Sequence, residues 1–346
     1  MQGAGGTLAT SGGALSTGGA STLSGGSSAL GGTASGGRAA GGSFGVGGAS
    51  GGAAAGGVAA GGAADGGATD AGGSASGGNG TGGGGGGVLA SAGCNKTGRP
   101  NGGSVVVANS HFYAFPATYD GSTPYPLLFG FHGCGGGNRG DGQNPNSTEF
   151  MNLTNNTDFA DDTVRAVPVS ADSGGCWNYN NDISRVRMIY EDLLENYCID
   201  QNRVFATGHS SGAQFVVQIL TKKTDAEFFD FTAVAPVAAS NYGPHAVPMP
   251  AMYIQGKNDT ERMSDGADEV ARFRDANGCS TESTAYTEVM GCQSSGTSVN
   301  PGCISYGDCD VPTIWCSHND PQYSNTSHGV PCFAMTAMHD FFQTFP

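Results

Sequence analysis

The sequence predicts an α/β protein: a mostly parallel sheet with helices on both faces, carried by residues 94–346. Three observations lead there. Short apolar runs alternate with amphipathic segments through this part of the chain, as in sheets built from strand–helix–strand units. One run, Leu127–His132, is continuously apolar and stopped by glycines, as a strand buried on both faces would be. Another, Val204–Thr207, passes through Gly208-His209-Ser210-Ser211-Gly212 into an amphipathic segment over Ala213–Lys222. Strand, tight turn and helix around a G-x-S-x-G pentapeptide form the setting that presents a serine hydroxyl at a sharp bend.

Taken in order, Val105–Asn109 and Phe112–Ala117 read as a strand hairpin, followed by the buried strand Leu127–His132 and a short strand at Arg165–Ser170. Ser184–Tyr197 carries Val186, Ile189, Tyr190, Leu193, Leu194 and Tyr197 at helical spacing. After the Val204–Thr207 strand and its helix come strands at Phe231–Ala238 and Ala251–Gln255. A helix over Asp265–Asn277, a strand at Val311–Cys316 and a closing helix over Pro331–Phe345 complete the pattern. In such sheets ligands bind beyond the carboxyl ends of the strands, so the loops following those strands should carry the chemistry.

Residues 1–93 have a different texture. They hold 38 of the 62 glycines, and their only charges are Arg38, Asp65 and Asp70. So little apolar surface cannot offset the entropy of ordering, and a Gly/Ala/Ser-rich disordered linker is expected. Net charge is −15, and within residues 94–346 27 acidic residues face 13 basic ones with no basic cluster. Binding to nucleic acid or to an anionic membrane is therefore disfavoured, and no apolar run approaches the length of a membrane span.

All ten cysteines lie in residues 94–346, which fits disulfides and an oxidising compartment. No C-x-x-C pair exists, so a zinc site is disfavoured. Of the loop cysteines Cys292, Cys303, Cys309 and Cys316, at least one local bridge is expected. The start Met-Gln-Gly-Ala-Gly-Gly has neither a basic n-region nor an apolar core. Set against the cysteine usage, this leads us to expect an extracellular or surface-tethered protein whose leader is absent from this sequence. Six N-x-S/T sequons lie in residues 94–346; glycans at Asn258 or Asn325 would crowd the candidate site, so these are expected to be unused.

A serine hydroxyl is a poor nucleophile until an adjacent base takes its proton, and that base needs a carboxylate to fix its tautomer. Asp259 follows the Ala251–Gln255 strand in a turn, where an acid should project; Asp265 and Asp268 are fallback acids on the next helix. For the base, His111, His132 and His245 fit the order serine–acid–histidine badly, and His209 sits inside the bend. His339 lies within the last helix. His328, on a glycine-flanked loop before that helix, suits the role, and His318 is the rival.

Acyl transfer also needs preset donors where negative charge develops. One is expected from the backbone N–H of Ser211. The other is expected from Cys134, in the loop His132-Gly133-Cys134-Gly135-Gly136-Gly137 after the buried strand. A phosphate-binding reading of that loop lacks the required lysine and glycine spacing. Trp177, His132 and His209 are candidate substrate contacts, with core packing the alternative for Trp177. Asp308, Asp310, Asn319 and Asp320 lack an EF-type calcium spacing.

Four stretches together resemble the secreted polyhydroxybutyrate depolymerase/feruloyl esterase group, carbohydrate esterase family 1 of the α/β-hydrolase superfamily. They are Phe131–Gly136, Asp200–Gly212, Tyr253–Asp259, and Ile314–Cys316 with His328–Pro331. The resemblance spans nearly all of residues 94–346. It implies an α/β-hydrolase fold and a serine esterase with Ser210, Asp259 and His328 as triad. It places the oxyanion donors at Cys134 and Ser211, and requires no cofactor or metal. It favours His328 over His318. The family's Gly-Gly-His-x-Trp-Pro context is here Ser-His-Gly-Val-Pro, so a residue near the acyl group is changed. Feruloyl esters of plant cell-wall polysaccharide are the expected substrates. Polyhydroxyalkanoate depolymerase or acetylxylan esterase activity is the near alternative, and a non-catalytic surface binding domain is the distant one.

Overall fold

Each inner strand sends alternate side chains to opposite faces, and this alternation builds two separate cores. Val204 and Ala206 join one apolar cluster while Phe205 between them joins the other. Ala251 and Tyr253 divide from Met252 and Ile254 in the same way. A period of two with both faces apolar is the pattern of a sheet covered on both sides. The computed structural model describes residues 87–98, 100–108, 111–134, 153–171, 175–222, 229–239, 243–245, 247–259, 263–321 and 327–346.

The strands are β1 (Val105–Ala108), β2 (His111–Ala114), β3 (Tyr125–Phe131), β4 (Val164–Val167), β5 (Ile199–His209), β6 (Ala233–Val237) and β7 (Ala251–Gly256). They continue with β8 (Ser283–Ala285), β9 (Cys292–Ser294), β10 (Thr297–Val299), β11 (Gly302–Tyr306) and β12 (Thr313–His318). The helices are α1 (Tyr179–Asn196), α2 (Ser211–Thr221), α3 (Met263–Ala276) and α4 (Ala334–Gln343). Ten strands form one sheet in the order β1-β2-β4-β3-β5-β6-β7-β12-β11-β8, and β9 pairs with β10 apart from it. Strands β4, β3, β5, β6, β7 and β12 run parallel, while β1, β2, β11 and β8 extend the two edges antiparallel.

This is the α/β-hydrolase architecture that the sequence predicts. After β3 the chain turns to β4 on one side; after β5 it turns to β6 on the other. The carboxyl ends of β3 and β5 therefore flank the switch point where a ligand crevice opens. On one face α1 and α2 contribute Val186, Ile189, Leu193, Phe215 and Val216; on the other α4 contributes Met338, Phe341 and Phe342. Phe342 stacks on Phe205 of β5 at 4.6 Å between ring centres.

Helix α1 begins five residues earlier than its apolar spacing indicates. The Asn178 side chain caps it by accepting from the Asn180 N–H. The buried Asp182 carboxylate accepts from the N–H groups of Ala171 and Asn178, adding charge at the helix N-terminus. Strands β8 to β11 are absent from the sequence prediction. They are short, largely exposed and rich in polar residues, so they carry no alternating signal.

The ten cysteines form five disulfides: Cys94–Cys198, Cys134–Cys176, Cys279–Cys309, Cys292–Cys332 and Cys303–Cys316. The last is the expected local bridge, joining β11 to β12. Of the predicted linker, residues 1–86 lie outside the described residues. Residues 87–93 differ from a free linker. Ser91 donates its N–H to the Ile199 carbonyl at 2.8 Å, Leu89 donates to Asp200 at 3.1 Å, and Ala90 bridges to Asp200. These bonds join the segment ahead of Cys94 to β5.

Candidate active site

Strand β5 delivers Ser210 to the sheet's carboxyl edge in a backbone conformation that few side chains tolerate, with φ 54° and ψ −116°. Two backbone bonds hold it there: the Ser210 N–H donates to Val237 at 2.9 Å, and its carbonyl accepts from Gln214 at 2.9 Å, opening α2. The turn is so tight that a Cβ on Gly212 would strike the Phe131 carbonyl oxygen, and one on Gly208 would strike Gly212 itself. Both glycines of the pentapeptide are therefore dictated by close backbone approach.

The Ser210 hydroxyl oxygen lies 3.0 Å from Nε2 of His328, and Nδ1 of His328 lies 2.8 Å from the Asp259 carboxylate. With Nδ1 donating to the carboxylate, Nε2 is left as the acceptor for the serine proton. Asp259 sits in the turn after β7 and is fully buried; the His328 side chain is only 12% exposed. Gln255 adds a second bond to Asp259, Nε2 to Oδ2 at 3.0 Å. The arrangement can move a proton off the serine and hold the resulting imidazolium against a buried charge.

The other predicted residues gather around this line. His209 donates from Nε2 to the His328 carbonyl oxygen at 2.7 Å. Burial first, with the neighbouring His328 adding to it, pushes His209 down to about 4, so the ring is neutral at pH 7. His132 donates from Nδ1 to the Gly133 carbonyl at 2.7 Å and accepts at Nε2 from the Ser170 N–H at 3.1 Å. Burial holds it down to about 4 as well. Both histidines are buried; both ring nitrogens of His132 and Nε2 of His209 bond to backbone. The structure sets both rings against backbone beside the site, at Gly133, Ser170 and His328.

Trp177 is a core residue. Its ring lies edge-on to Phe131 and stacks on Phe215 at 4.9 Å. Its indole N–H donates to the His132 carbonyl at 3.0 Å, and its backbone N–H donates to Ser211 Oγ at 2.7 Å. One residue thus ties the segment after β3 to the elbow, and the Cys134–Cys176 disulfide joins that segment to the chain just before Trp177. What remains of Trp177 lines an open pocket of about 220 Å³ with Asn178, Tyr179, Asn180, Gln218 and Lys222. Gly135–Gly137, the rest of the predicted donor loop, lie outside the described residues.

His318, the rival base, is buried at the end of β12. Its Nδ1 accepts from the Asp320 N–H at 3.3 Å, its Nε2 has no hydrogen-bond partner among the described residues, and burial pushes it down to about 4. Asp268 is exposed on α3, and the side chain of Asp265 lies outside the described residues. His111 accepts from the Val169 N–H, His245 pairs with Glu269, and His339 with Asp162. Asp320 is spent on Ser294 and the Cys332 N–H. Among the described residues no group of three or more histidine, cysteine or acidic side chains is placed to hold a metal ion.

Sequence comparison finds curated relatives over most of their own length. The probable feruloyl esterase C of Aspergillus terreus is 28% identical over 195 residues, covering 56% of this chain and 71% of that protein. Feruloyl esterase D of Neurospora crassa is 24% identical over 276 residues, covering 74% of this chain and 90% of that protein. The chain is a carboxylic ester hydrolase. No family model matches it. Among solved structures, the acetyl xylan esterase from Aspergillus awamori is 14% identical, covering 69% of the hydrolase and 98% of that chain, with TM-score 0.46.

Three residues around the hydrolase's candidate site escaped the sequence reading: Gln255, Tyr253 and Asp182. Each is a polar side chain on an element whose neighbours are buried, and that incongruity was the available signal. No helix among the described residues is long and apolar enough to cross a membrane, and the five disulfides are those of a protein matured in an oxidising compartment.

Proposed function

We propose that this hydrolase is an extracellular serine esterase of the feruloyl esterase type, releasing hydroxycinnamates from plant cell-wall polysaccharide. Ser210 is the nucleophile, His328 the general base and acid, and Asp259 the carboxylate that orients it. The observation that carries the reading is the unbroken line from Ser210 Oγ to His328 Nε2 to Asp259, at 3.0 and 2.8 Å.

Ser210 Oγ attacks the ester carbonyl carbon while its proton passes to His328 Nε2. The carbonyl becomes an oxyanion, met by the N–H groups of Ser211 and Cys134; losing one such donor costs about 3 kcal/mol of barrier. When the tetrahedral intermediate collapses, the alcohol leaves with the proton from His328. Water then attacks the acyl-enzyme, giving its proton to His328, and the carboxylic acid departs as Ser210 recovers its proton. The imidazolium formed twice in this cycle sits against Asp259, whose burial keeps their attraction unscreened by water.

The ferulate preference rests on the feruloyl esterase relatives together with the motif resemblance. The test compares the wild type and Ser210→Ala on methyl ferulate, p-nitrophenyl acetate and a polyhydroxybutyrate film. Ferulate hydrolysis that falls about 10⁴-fold or more in the variant is the expected result. Serine-dependent activity on the film alone would replace ferulate by polyester. Hydrolysis that survives Ser210→Ala would remove the serine mechanism.

A further inference from the structure

The side chains of Tyr253 and Gln255 alternate with Ile254 on β7 and so project from one face of a fully buried strand, beneath α3. Neither position needs polarity for the fold. At both, an apolar residue would continue the core that Ala251 and Phe273 already form. Instead, a line of polar contacts runs through them. The Tyr253 hydroxyl lies 2.7 Å from the Ala239 carbonyl and 3.0 Å from Gln255 Oε1. Gln255 Nε2 donates to Asp259 Oδ2 at 3.0 Å, the same carboxylate oxygen that accepts from His328 Nδ1.

The helix above makes room for this. A Cβ on Gly266, in the first turn of α3, would meet Gln255 Oε1 at 2.8 Å, Cδ at 2.9 Å and Cγ at 3.0 Å. Glycine is the costliest ordinary residue in a helix, and here it leaves the space that the amide occupies. Gln255 itself has no exposed surface. A buried amide that bonds a buried carboxylate on one side, and on the other shares a tyrosine's single hydroxyl proton with a backbone carbonyl, cannot swing freely.

We infer that Tyr253 and Gln255 are positioning residues of the reaction: through them the fold fixes the Asp259 carboxylate, and so the ring of His328, for proton transfer from Ser210. The inference rests on the proposed triad. Asp259 sits on a turn rather than on a strand, so its direction is not fixed by a sheet ladder. The Gln255 amide ties it back to β7, and the one proton of the Tyr253 hydroxyl is shared between the amide oxygen and the backbone carbonyl after β6. Because the contact is with the carboxylate rather than with substrate, its loss lowers turnover and leaves substrate affinity unchanged.

The test is a double-mutant cycle in the full chain with p-nitrophenyl acetate as substrate, measuring kcat and KM separately. Gln255→Met keeps volume and removes the donor. In the wild-type background it should lower kcat by about tenfold or more with KM within about twofold. In the Asp259→Asn background the same change should lower kcat by less than about threefold, because Gln255 acts through the carboxylate already lost. Equal losses in the two backgrounds, or no loss in the first, would overturn the inference. Tyr253→Phe, which retains the ring in the core, supplies a second arm should Gln255→Met fail to fold. It should lower kcat with KM unchanged, and an unaltered kcat would count against the role. Ser210→Ala judges the serine mechanism separately: an active Ser210→Ala enzyme defeats the triad, whereas an inactive one with additive Gln255 and Asp259 effects defeats only this inference.

Discussion

His209 Nε2 donates a hydrogen bond to the main-chain carbonyl of His328 at 2.7 Å. The residue before the nucleophile thus holds the backbone of the residue that would take its proton, although 119 positions separate them. Serine and base are located by one another as well as by their own elements. His209→Phe should lower kcat/KM by about tenfold through a displaced base and destabilise the fold by about 1–3 kcal/mol, since a buried carbonyl loses its partner. Kinetics and urea unfolding of the variant check both, and unchanged kinetics would mean that the His328 loop is held elsewhere.

The Cys134–Cys176 bridge and Trp177 fasten the same two segments. The bridge closes a loop with a sequence separation of 42, for which chain entropy gives a stabilisation of about 4 kcal/mol. Replacing both cysteines by serine should lower the urea midpoint accordingly. It should also lower kcat more than KM changes, because Cys134 carries a proposed oxyanion donor.

Acid should unfold the protein from below about pH 6.5. Burial is the largest cause in holding His111, His132, His209 and His318 each down to about 4, whereas in the unfolded chain histidine titrates near 6.5. Between these values the unfolded state binds protons that the folded state refuses. Stability is therefore full above the unfolded value and is lost as pH falls toward the folded one. The four together give a slope of about 5 kcal/mol per pH unit near pH 5. Urea midpoints at pH 7, 6 and 5 measure it, and a flat profile across that range would contradict the neutral, buried assignment.

The two candidate bases separate by substitution. His328→Ala should remove esterase activity by about 10⁴-fold or more. His318→Ala opens a cavity in buried surroundings and should act mainly on stability, leaving most of kcat. The reverse ranking, measured on p-nitrophenyl acetate, would transfer the base role to His318.

The parallel sheet was legible because buried strands such as Leu127–Phe131 and helices such as α1 write their period into the sequence. The elbow was legible for a different reason: backbone touching backbone leaves glycine no substitute at 208 and 212. Strands β8 to β11 left no trace, since they are short and polar and disulfides at Cys292 and Cys303 take part of the place of an apolar face. The order serine–acid–histidine left His318, His328 and His339 as bases; the loop position and the family resemblance chose His328, which the fold brings within hydrogen-bonding reach of Ser210 and Asp259. What surrounds them was not legible. The backbone bonds of His132 and His209 were not legible, because a histidine beside a glycine loop reads the same whether its nitrogens face a cleft or a carbonyl. Gln255 and Tyr253 were lost inside an apolar strand, where polarity is visible but its partner, four residues on around a turn, is not.

The central claim is that Ser210 alone forms the acyl-enzyme, and covalent trapping measures it most directly. The enzyme is incubated with a p-nitrophenyl phosphonate, the released p-nitrophenol is counted, and the modified peptide is mapped by mass spectrometry. One equivalent should be released, with the adduct on Ser210, esterase activity lost in step, and no adduct in Ser210→Ala. A modified residue other than Ser210, or full activity in the fully labelled protein, would contradict it.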